Sequence, residues 1–328
     1  MRDLKTIVGE NVKKYRKESG LTQCALATIV GCCGTAQPIS LIESGKKNIQ
    51  LETLDKIAEA LSVTVVDLVA KSNFEALVAK GIQCIKNYEF NKVVLSRKET
   101  VAVADFDLLS AFEKLVQLYP STFVYCFYHP KIGTWLGATP EQLLKANDTV
   151  FETISLAGTQ KDMGSSEIIW EKKEKEEQQF VTDYIVSKLE SVASEVVVTE
   201  PYSIKAGSIW HIRTDISGRL NSDSSLQKVI HLLHPTPAVC GLPKNSAKAF
   251  ILENEPHDRH FYSGFLGELN SSFSTNSRSS DLFVNLRCMQ IEDSKAHLYM
   301  GCGITKDSIP EKEWEESVNK SMTIKKVL

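Results

Sequence analysis

In residues 4–20 and 51–63, apolar residues recur every three or four positions, a spacing that predicts amphipathic helices. Thr22 and Thr35 each precede a shorter apolar segment and are candidate N-caps for two further helices. Short helices in close succession favour a compact arrangement. Residues 1–72 are therefore predicted to form a small all-α bundle with a helix-turn-helix at its middle.

From residue 73 the pattern changes to β-branched apolar runs separated by long helical segments. Strands are predicted at residues 92–103, 122–129, 134–138, 196–204, 282–291 and 297–304. Helices are predicted at residues 74–87, 107–118, 167–192, 225–233 and 310–326. Because strands and helices do not alternate regularly, residues 73–328 are predicted to be an α+β domain with large antiparallel sheets.

The composition is that of an ordinary globular protein, with 328 residues of which 42% are hydrophobic and 24% charged. A net charge of −3 argues against a chain coated in positive charge for nucleic acid, although residues 1–72 carry ten Lys or Arg against eight Asp or Glu. The eight cysteines form neither a CxxC pair nor a Cys/His cluster at zinc spacing, which favours reduced thiols in a cytoplasm. Since no apolar run approaches eighteen residues, neither export nor membrane insertion is expected.

Two acidic segments repeat the same local geometry. Glu174 and Glu177, and likewise Glu313 and Glu316, are three residues apart, so on a helix each pair would share one face. Four carboxylates converging from two helices would make an all-oxygen site for a hard cation such as Mg²⁺. The alternative is that both runs are solvated helix faces. Local sequence alone leaves both interpretations open.

The sequence contains no glycine-rich dinucleotide loop after a strand, no Walker phosphate loop and no GxSxG nucleophile elbow. Eight segments, taken in order, resemble the chorismate-utilising enzymes and most closely the isochorismate synthases. These segments lie at residues 91–97 (NKVVLSR), 137–144 (GATPEQLL), 156–159 (LAGT), 173–183 (KEKEEQQFVTD), 234–243 (HPTPAVCGLP), 258–267 (DRHFYSGFLG), 285–291 (NLRCMQI) and 301–320 (GCGIT and SIPEKEWEESVNK). The resemblance covers about residues 75–328 and implies the α+β fold of that family, with large antiparallel sheets and outer helices.

The resemblance implies Mg²⁺-dependent conversion of chorismate to isochorismate, for menaquinone or siderophore-type biosynthesis. In that reaction Lys92 is the base that takes a proton from water attacking ring C2, which requires a lowered pKa. Glu141 is the acid that protonates the departing C4 hydroxyl, which requires a raised pKa. From the residues alone, Lys92 could instead be an edge-strand lysine, and Glu141 could be a carboxylate at a helix start after Pro140.

The resemblance also implies groups that bind the metal and the substrate. Glu177 and Glu316 would be the inner Mg²⁺ ligands, with Glu174 and Glu313 in supporting positions. The substrate-binding groups would be Gly158 and Thr159 at the ring carboxylate, His234 near the ring hydroxyl, and Tyr262, Arg287, Gly301, Gly303 and Lys320 at the enolpyruvyl carboxylate. From the residues alone, His234 could be a buried structural histidine and the glycine–threonine step a simple turn.

Residues 3–70 resemble the Xre-type helix-turn-helix of phage repressors, in LTQCALATIVG, ISLIESGKKN and LETLDKIAEAL. The resemblance implies that Gln37 and Ser40 face DNA base edges and that Lys46 and Lys47 meet phosphates. Similar bundles also serve as protein-contact modules. A DNA-binding role and a protein-contact role for residues 1–72 are both open.

The resemblance further implies that the chain lacks the N-terminal portion that usually precedes the lysine strand in isochorismate synthases. An exposed sheet edge or apolar face would then favour a homodimer. Two alternatives stay open: a salicylate synthase, which shares the lysine, and a DNA-binding regulator whose enzyme-like domain senses chorismate. The presence of Lys92, Glu141 and both metal-binding glutamates favours catalysis.

Overall fold

The computed structural model describes residues 4–32, 35–69, 73–162, 168–206, 209–270 and 279–328. Contacts within the chain divide it into two compact units, Met1–Ala76 and Leu77–Leu328. Within the described ranges, every helix is too short or too polar to cross a membrane.

The N-terminal unit is built from short helices around one apolar core. These are α1 (Leu4–Glu18), α2 (Gln23–Ile29), α3 (Gln37–Glu43), α4 (Leu51–Ala60) and α5 (Val65–Val69). The predicted cap at Thr22 is confirmed, because its hydroxyl accepts a hydrogen bond from Ala25 N at 3.1 Å. The predicted cap at Thr35 is wrong, since α3 begins after Ala36 with no side-chain cap and with Pro38 in its first turn, where the missing N–H costs nothing.

A buried ion pair joins three helices of this unit. Arg16 Nε of α1 lies 2.5 Å from Glu43 Oε1 of α3, and Gln23 Nε2 of α2 donates to Glu43 Oε2 at 2.8 Å. Leu26, Ile39 and other buried apolar side chains form the core of the same unit. The polar contacts therefore fix the relative positions of helices whose main stabilisation is apolar burial.

The C-terminal unit contains long strands and peripheral helices. The helices are α6 (Asn73–Lys86), which begins just before this unit, α7 (Leu108–Leu118), α8 (Lys172–Leu189), α9 (Leu226–Leu233), α10 (Lys244–Asn254) and α11 (Pro310–Lys325). The strands are β1 (Lys92–Ala102), β2 (Phe123–His129), β3 (Gly133–Thr139), β4 (Gln142–Asn147), β5 (Val150–Lys161), β6 (Ala193–Val198), β7 (Tyr202–Ala206), β8 (Ile209–Leu220), β9 (Gly241–Leu242), β10 (Phe265–Glu268), β11 (Ser279–Val284), β12 (Cys288–Glu292) and β13 (Lys295–Ile304).

The strands form two antiparallel sheets, as the prediction of large antiparallel sheets requires. One sheet has six strands in the order β2-β3-β12-β13-β1-β9. The other has seven, in the order β10-β11-β4-β5-β8-β6, with β7 also paired to β8. Helix α8 packs on β5 and β8, whereas α11 packs on β13, so each sheet presents one of the two helices that carry the glutamate pairs.

Across the described residues, the chain passes between the two sheets four times, and the two shortest of these crossings lie next to each other. Pro140 and Glu141 link β3 of the six-stranded sheet to β4 of the other, and residues 285–287 link β11 back to β12. The crossings are hydrogen-bonded together, because Ala138 N donates to Arg287 O at 3.1 Å and Val284 N donates to Glu141 O at 2.9 Å. Side chains on these two crossings are therefore held close to one another.

Several predicted strands differ from those observed. The run 282–291 is not one strand, since its two halves belong to β11 and β12 in different sheets. The run 196–204 is broken near Pro201, whose ring removes a ladder donor, into β6 and β7. Sequence reasoning missed β5 and β8, the pair with the longest register in the seven-stranded sheet, because both mix polar residues among their apolar ones.

A buried charged network ties β1 to the segment after α10. Glu255, whose side chain is 2% exposed, accepts hydrogen bonds from Ser96 N at 2.6 Å and Ser96 Oγ at 2.9 Å. Arg259 Nη2 lies 2.6 Å from Glu255 Oε1 and donates to Val94 O at 2.7 Å. The network satisfies a carboxylate that would otherwise be buried with an uncompensated charge.

We expect Arg259→Met to lower the free energy of unfolding by about 3–5 kcal/mol, because Glu255 would keep its buried charge without a cation. Urea unfolding followed by circular dichroism measures the change. As a matched control, Lys172→Met removes the exposed Lys172–Glu176 pair and should cost less than about 1 kcal/mol. Equal losses in the two variants would contradict the structural role assigned to the network.

Candidate active site

Lys92 is the first residue of β1, and its side chain is fully buried. Strand β1 lies between β13 and β9, so the interpretation of Lys92 as a lysine on an exposed sheet edge is wrong. Its Nζ lies 3.2 Å from Glu177 Oε1. Burial lowers the pKa of Lys92, although the charges of Glu177 and Glu141 oppose that shift. A lysine in this setting has a larger neutral fraction than one in water, as a general base needs.

Glu141 lies on the crossing between β3 and β4 and is 5% exposed. The expectation that it begins a helix is wrong, because Gln142 starts β4 immediately afterwards. Burial raises the pKa of Glu141 to about 7, even though Lys92 and Arg287 act to lower it. A carboxyl group with this pKa is partly protonated at neutral pH and can donate a proton.

Arg287 lies on the second of the two short crossings. Its linker is hydrogen-bonded to the linker that carries Glu141. Its backbone has a φ of +48°, in the left-handed region, immediately before β12 begins at Cys288. Among the described residues, its guanidinium has no hydrogen-bond or ion-pair partner, and burial lowers its pKa. A partly buried guanidinium without a protein carboxylate is suited to bind an incoming carboxylate through its two-pronged donor geometry.

The acidic pairs occupy two helices, as predicted. Glu174 and Glu177 lie on α8, and Glu313 and Glu316 lie on α11. Glu313 is 1% exposed, and the side chains of Glu177 and Glu316 are 13% and 20% exposed. The interpretation of both runs as solvated helix faces is therefore wrong for these three residues. Glu174 is half-buried, and its Oε2 is buried without a hydrogen bond in the part of the chain that the structure describes.

Each of three site carboxylates has a lysine partner. Beside the Lys92–Glu177 pair, Lys173 Nζ lies 2.5 Å from Glu313 Oε1, and Lys320 Nζ lies 2.6 Å from Glu316 Oε1. Burial disfavours the charge of Lys173, but Glu313 and the other nearby carboxylates raise its pKa overall. Burial and the neighbouring charge of Glu316 raise the pKa of Glu313 to about 7. The carboxylates of α8 and α11 therefore lie close enough to shift the pKa of the same lysine, Lys173.

Two glycines of β13 leave room for these side chains. A Cβ on Gly303 would lie 1.9 Å from Glu177 Oε1, and a Cβ on Gly301 would lie 2.6 Å from the Tyr262 hydroxyl. Lys320 Nζ also donates to Gly301 O at 2.8 Å. The structure therefore brings the two predicted glycines into the same site as Glu177 and Lys320.

Gly158 and Thr159 form an irregularity in β5 rather than a turn between elements. The register of β5 against β8 shifts between Ala157 and Gln160, and Gly158 has a φ of +73°, which glycine adopts without strain. The Gly158 carbonyl accepts a hydrogen bond from His211 Nδ1 at 2.8 Å. The bulge turns this part of the strand out of the regular ladder and next to α8, where Glu174 Cβ lies 3.1 Å from the position of a Gly158 Cβ.

Tyr262 is 5% exposed and lies over Tyr299 with ring centroids 6.0 Å apart. His234 is placed differently. Its ring packs edge-on against Phe265, and its pKa is lowered to about 4 by burial and by Lys244. No contact in the described part of the chain joins His234 to the lysine–glutamate pairs, so its predicted place near a ring hydroxyl stays a prediction.

Sequence reasoning missed two residues of the site. His211 on β8 is 5% exposed, and burial together with the Arg287 charge lowers its pKa to about 3, so its ring is neutral with Nδ1 protonated. Its Nε2 is buried without a hydrogen bond among the described residues. The strand pattern gave no signal for this burial, because His211 alternates with the partly exposed Arg213 and Asp215. Lys173 could have been found four residues before Glu177 on the same helix face.

A protein-family profile described as "Chorismate binding enzyme" matches residues 19–328. Isochorismate synthase EntC of Escherichia coli (strain K12) is 30% identical over 266 residues, which cover 77% of this chain and 66% of the relative. Anthranilate synthase component 1 of Lactococcus lactis subsp. lactis is 26% identical over 288 residues, which cover 84% of this chain and 61% of the relative. The chain thus spans only 66% and 61% of the lengths of these two curated relatives.

The fold is similar to that of a solved enzyme. The structure of MenF, the menaquinone-specific isochorismate synthase from Escherichia coli, superimposes with a TM-score of 0.70 at 23% identity and covers 86% of this chain and 70% of that chain. This similarity shows that the two chains share the two-sheet fold described above.

Glu141 should titrate with a midpoint near pH 7, because a raised pKa keeps the carboxyl protonated up to that pH and ionised above it. The protonated-carboxyl band in the infrared difference between the native protein and Glu141→Gln measures this midpoint. In Lys92→Met the midpoint should move to higher pH, since the ammonium that lowers the pKa is gone. The exposed Glu190→Gln serves as the control, and a Glu141 midpoint near that of a carboxyl in water would contradict the assignment.

Proposed function

Because the chain belongs to the family of chorismate-binding enzymes, we propose that it converts chorismate to isochorismate by adding water at ring C2 and releasing the C4 hydroxyl. The observation that carries the proposal is the opposite pKa displacement of two buried groups, Lys92 downward and Glu141 upward. Burial favours the neutral form of each, which is the protonation state that a general base and a general acid need.

In the proposed reaction the neutral Lys92 amine removes a proton from water as its oxygen bonds to C2. The ring double bonds shift, the C4–oxygen bond breaks, and Glu141 gives its proton to the departing hydroxyl, which leaves as water. Lys92 ends as an ammonium and Glu141 as a carboxylate, and a net proton transfer between them through solvent restores both. No covalent enzyme intermediate is required, because base and acid act on different carbons.

The substrate's two carboxylates need cationic or donor groups. Arg287, whose guanidinium has no partner among the described residues, is assigned to the enolpyruvyl carboxylate together with Lys320 and the Tyr262 hydroxyl. The bulge at Gly158 and Thr159 is assigned to the ring carboxylate. Neutral His211, fixed by its bond to the Gly158 carbonyl, presents Nε2 as a hydrogen-bond acceptor in the same region.

The donor set also fits a divalent cation. Glu177 and Glu316 offer partly exposed carboxylate oxygens, and the half-buried Glu174 leaves one oxygen without a hydrogen bond among the described residues. Carboxylate oxygens are the ligands that Mg²⁺ prefers. We assign Glu177 and Glu316 as its ligands, with Glu174 and Glu313 supporting them. When bound, Mg²⁺ would neutralise the charge of the ring carboxylate.

The N-terminal unit has one surface that supports a second proposal, contact with DNA. Gln37 and Ser40 are exposed, and their spacing places them on one face of α3. Lys46 and Lys47, which follow this helix, are exposed as well. Gln37 and Ser40 can form hydrogen bonds with base edges. Lys46 and Lys47 can bind the phosphates.

Chorismate incubated with the protein and Mg²⁺ should yield isochorismate, separated and measured by chromatography. Lys92→Ala should lower turnover by about 10²–10⁴-fold, the usual contribution of a general base, while retaining affinity for chorismate. The exposed Lys228→Ala should leave turnover unchanged. Salicylate as product would favour the salicylate synthase alternative, and tight chorismate binding without any product would overturn the enzymatic proposal in favour of a sensor.

For the N-terminal unit, fluorescence anisotropy with a DNA fragment recovered by in vitro selection should show binding that weakens as salt rises. Changing Lys46 and Lys47 to Ala should reduce the slope of log affinity against log salt by about two, whereas Gln37→Ala should relax base preference. Lys13→Ala, an exposed change on α1, is the matched control. If the selection recovers no DNA fragment, the DNA-binding proposal is overturned in favour of the protein-contact alternative.

A further inference from the structure

Cys302 brings a sulfur atom into the carboxylate cluster of α11. It lies on β13 with no exposure to solvent, and its Sγ donates to the backbone carbonyl of Glu313 at 3.2 Å. Its strand is held on both sides, and Cys302 itself pairs with Leu95 of β1. The sulfur is therefore positioned by the sheet rather than by a mobile loop.

Three atoms capable of binding a metal converge here. Cys302 Sγ and one carboxylate oxygen each of Glu313 and Glu316 all lie within 4.8 Å of one another. A tetrahedral cation with bonds of about 2.0–2.3 Å separates its ligands by roughly 3.3–3.8 Å. The observed limit of 4.8 Å exceeds that separation by only about 1 Å.

The carboxylates of Glu313 and Glu316 can still bind a cation. Glu313 Oε1 is paired with Lys173, but Oε2 is buried without a hydrogen bond in the described ranges. Glu316 is paired with Lys320 and stays partly open to solvent, which provides a path of entry. A thiolate with two carboxylates suits a softer ion such as Zn²⁺, Cd²⁺ or Co²⁺, whereas Mg²⁺ takes oxygen ligands.

We propose that Cys302, Glu313 and Glu316 bind a thiophilic divalent cation, with the sulfur as the ligand that distinguishes this ion from Mg²⁺. On binding, a metal–sulfur bond forms and the thiol proton passes to solvent, with no change of oxidation state. Because Glu316 is also assigned to Mg²⁺, the softer ion excludes Mg²⁺ and inhibits turnover. This second consequence rests on the proposed function, whereas the binding itself does not.

Titration of the reduced, metal-free protein with Cd²⁺ tests the site through the ultraviolet absorption of the cadmium–sulfur bond. The native protein should show a saturable band that Cys302→Ser lacks and that Cys240→Ser, a change at another buried cysteine, retains. The exposed Cys24 and Cys126 can contribute background, so the signal is the difference between each variant and the native protein. A difference band that persists in Cys302→Ser, or that Cys240→Ser also loses, overturns the inference.

Affinity for Cd²⁺, measured against a chromophoric chelator, gives a second readout. Cys302→Ser should weaken binding more than about 100-fold, since loss of a group that merely supports a ligand already costs 10–100-fold. Glu316→Gln should also weaken binding yet keep the sulfur band at saturation, and it carries the test if Cys302→Ser does not fold. Unchanged Cd²⁺ affinity in Glu316→Gln overturns the inference.

The two proposals can fail separately. Isochorismate formation with Mg²⁺ in a protein that shows no Cys302-dependent band overturns the soft-metal site alone. A Cys302-dependent band in a protein that forms no product overturns the proposed function alone. Where both hold, about one equivalent of Cd²⁺ should inhibit the native enzyme, and Cys302→Ser should resist that inhibition.

Discussion

Burial of three lysine–glutamate pairs is the constraint on which the candidate site depends. The pairs are Lys92–Glu177, Lys173–Glu313 and Lys320–Glu316. The first joins β1 to α8, the second joins α8 to α11, and the third anchors α11 to the backbone of β13 through Gly301. Buried charges are tolerated when paired, but removing one partner leaves the other uncompensated. The six-stranded sheet and the two helices are therefore held together by the same groups that the proposed chemistry uses.

The second determinant is the pair of crossings between the sheets. Glu141 and Arg287 lie on separate linkers that hydrogen-bond to each other, so neither side chain depends on a long loop for its position. Thr139 Oγ1 adds a further bond to Val284 O at 2.6 Å. An acidic and a basic side chain thus lie at a junction that backbone hydrogen bonds from both sheets hold in place. Such junctions suit catalysis because they hold groups in place before a ligand arrives.

The sequence predicted the large antiparallel sheets from β-branched apolar runs, the N-terminal helices from their apolar period, and the helices that carry the acidic pairs from long segments of helix-forming residues. It did not reveal the crossings, because residues 282–291 read as one strand in the sequence. In the structure, Val284 ends a strand of one sheet and Cys288 begins a strand of the other. The same limit explains why Glu141 was expected at a helix start. Lys92 and Glu141 came from resemblance to a family, whereas the strand pattern gave no signal for His211 and Lys173 had only a helical spacing. Burial, which sets the properties of all four, depends on tertiary packing and is not written in local sequence.

The opposite displacements of Lys92 and Glu141 have one cause, burial acting on groups of opposite charge. The ion pairs among the described residues join Lys92 to Glu177 and do not join it to Glu141. A direct Lys92–Glu141 pair would hold the acid as a carboxylate. Glu141 could then not act as an acid, because it would already have lost its proton. The absence of that ion pair among the described residues is consequently as important as burial, since it lets Glu141 keep the proton that an acid catalyst needs.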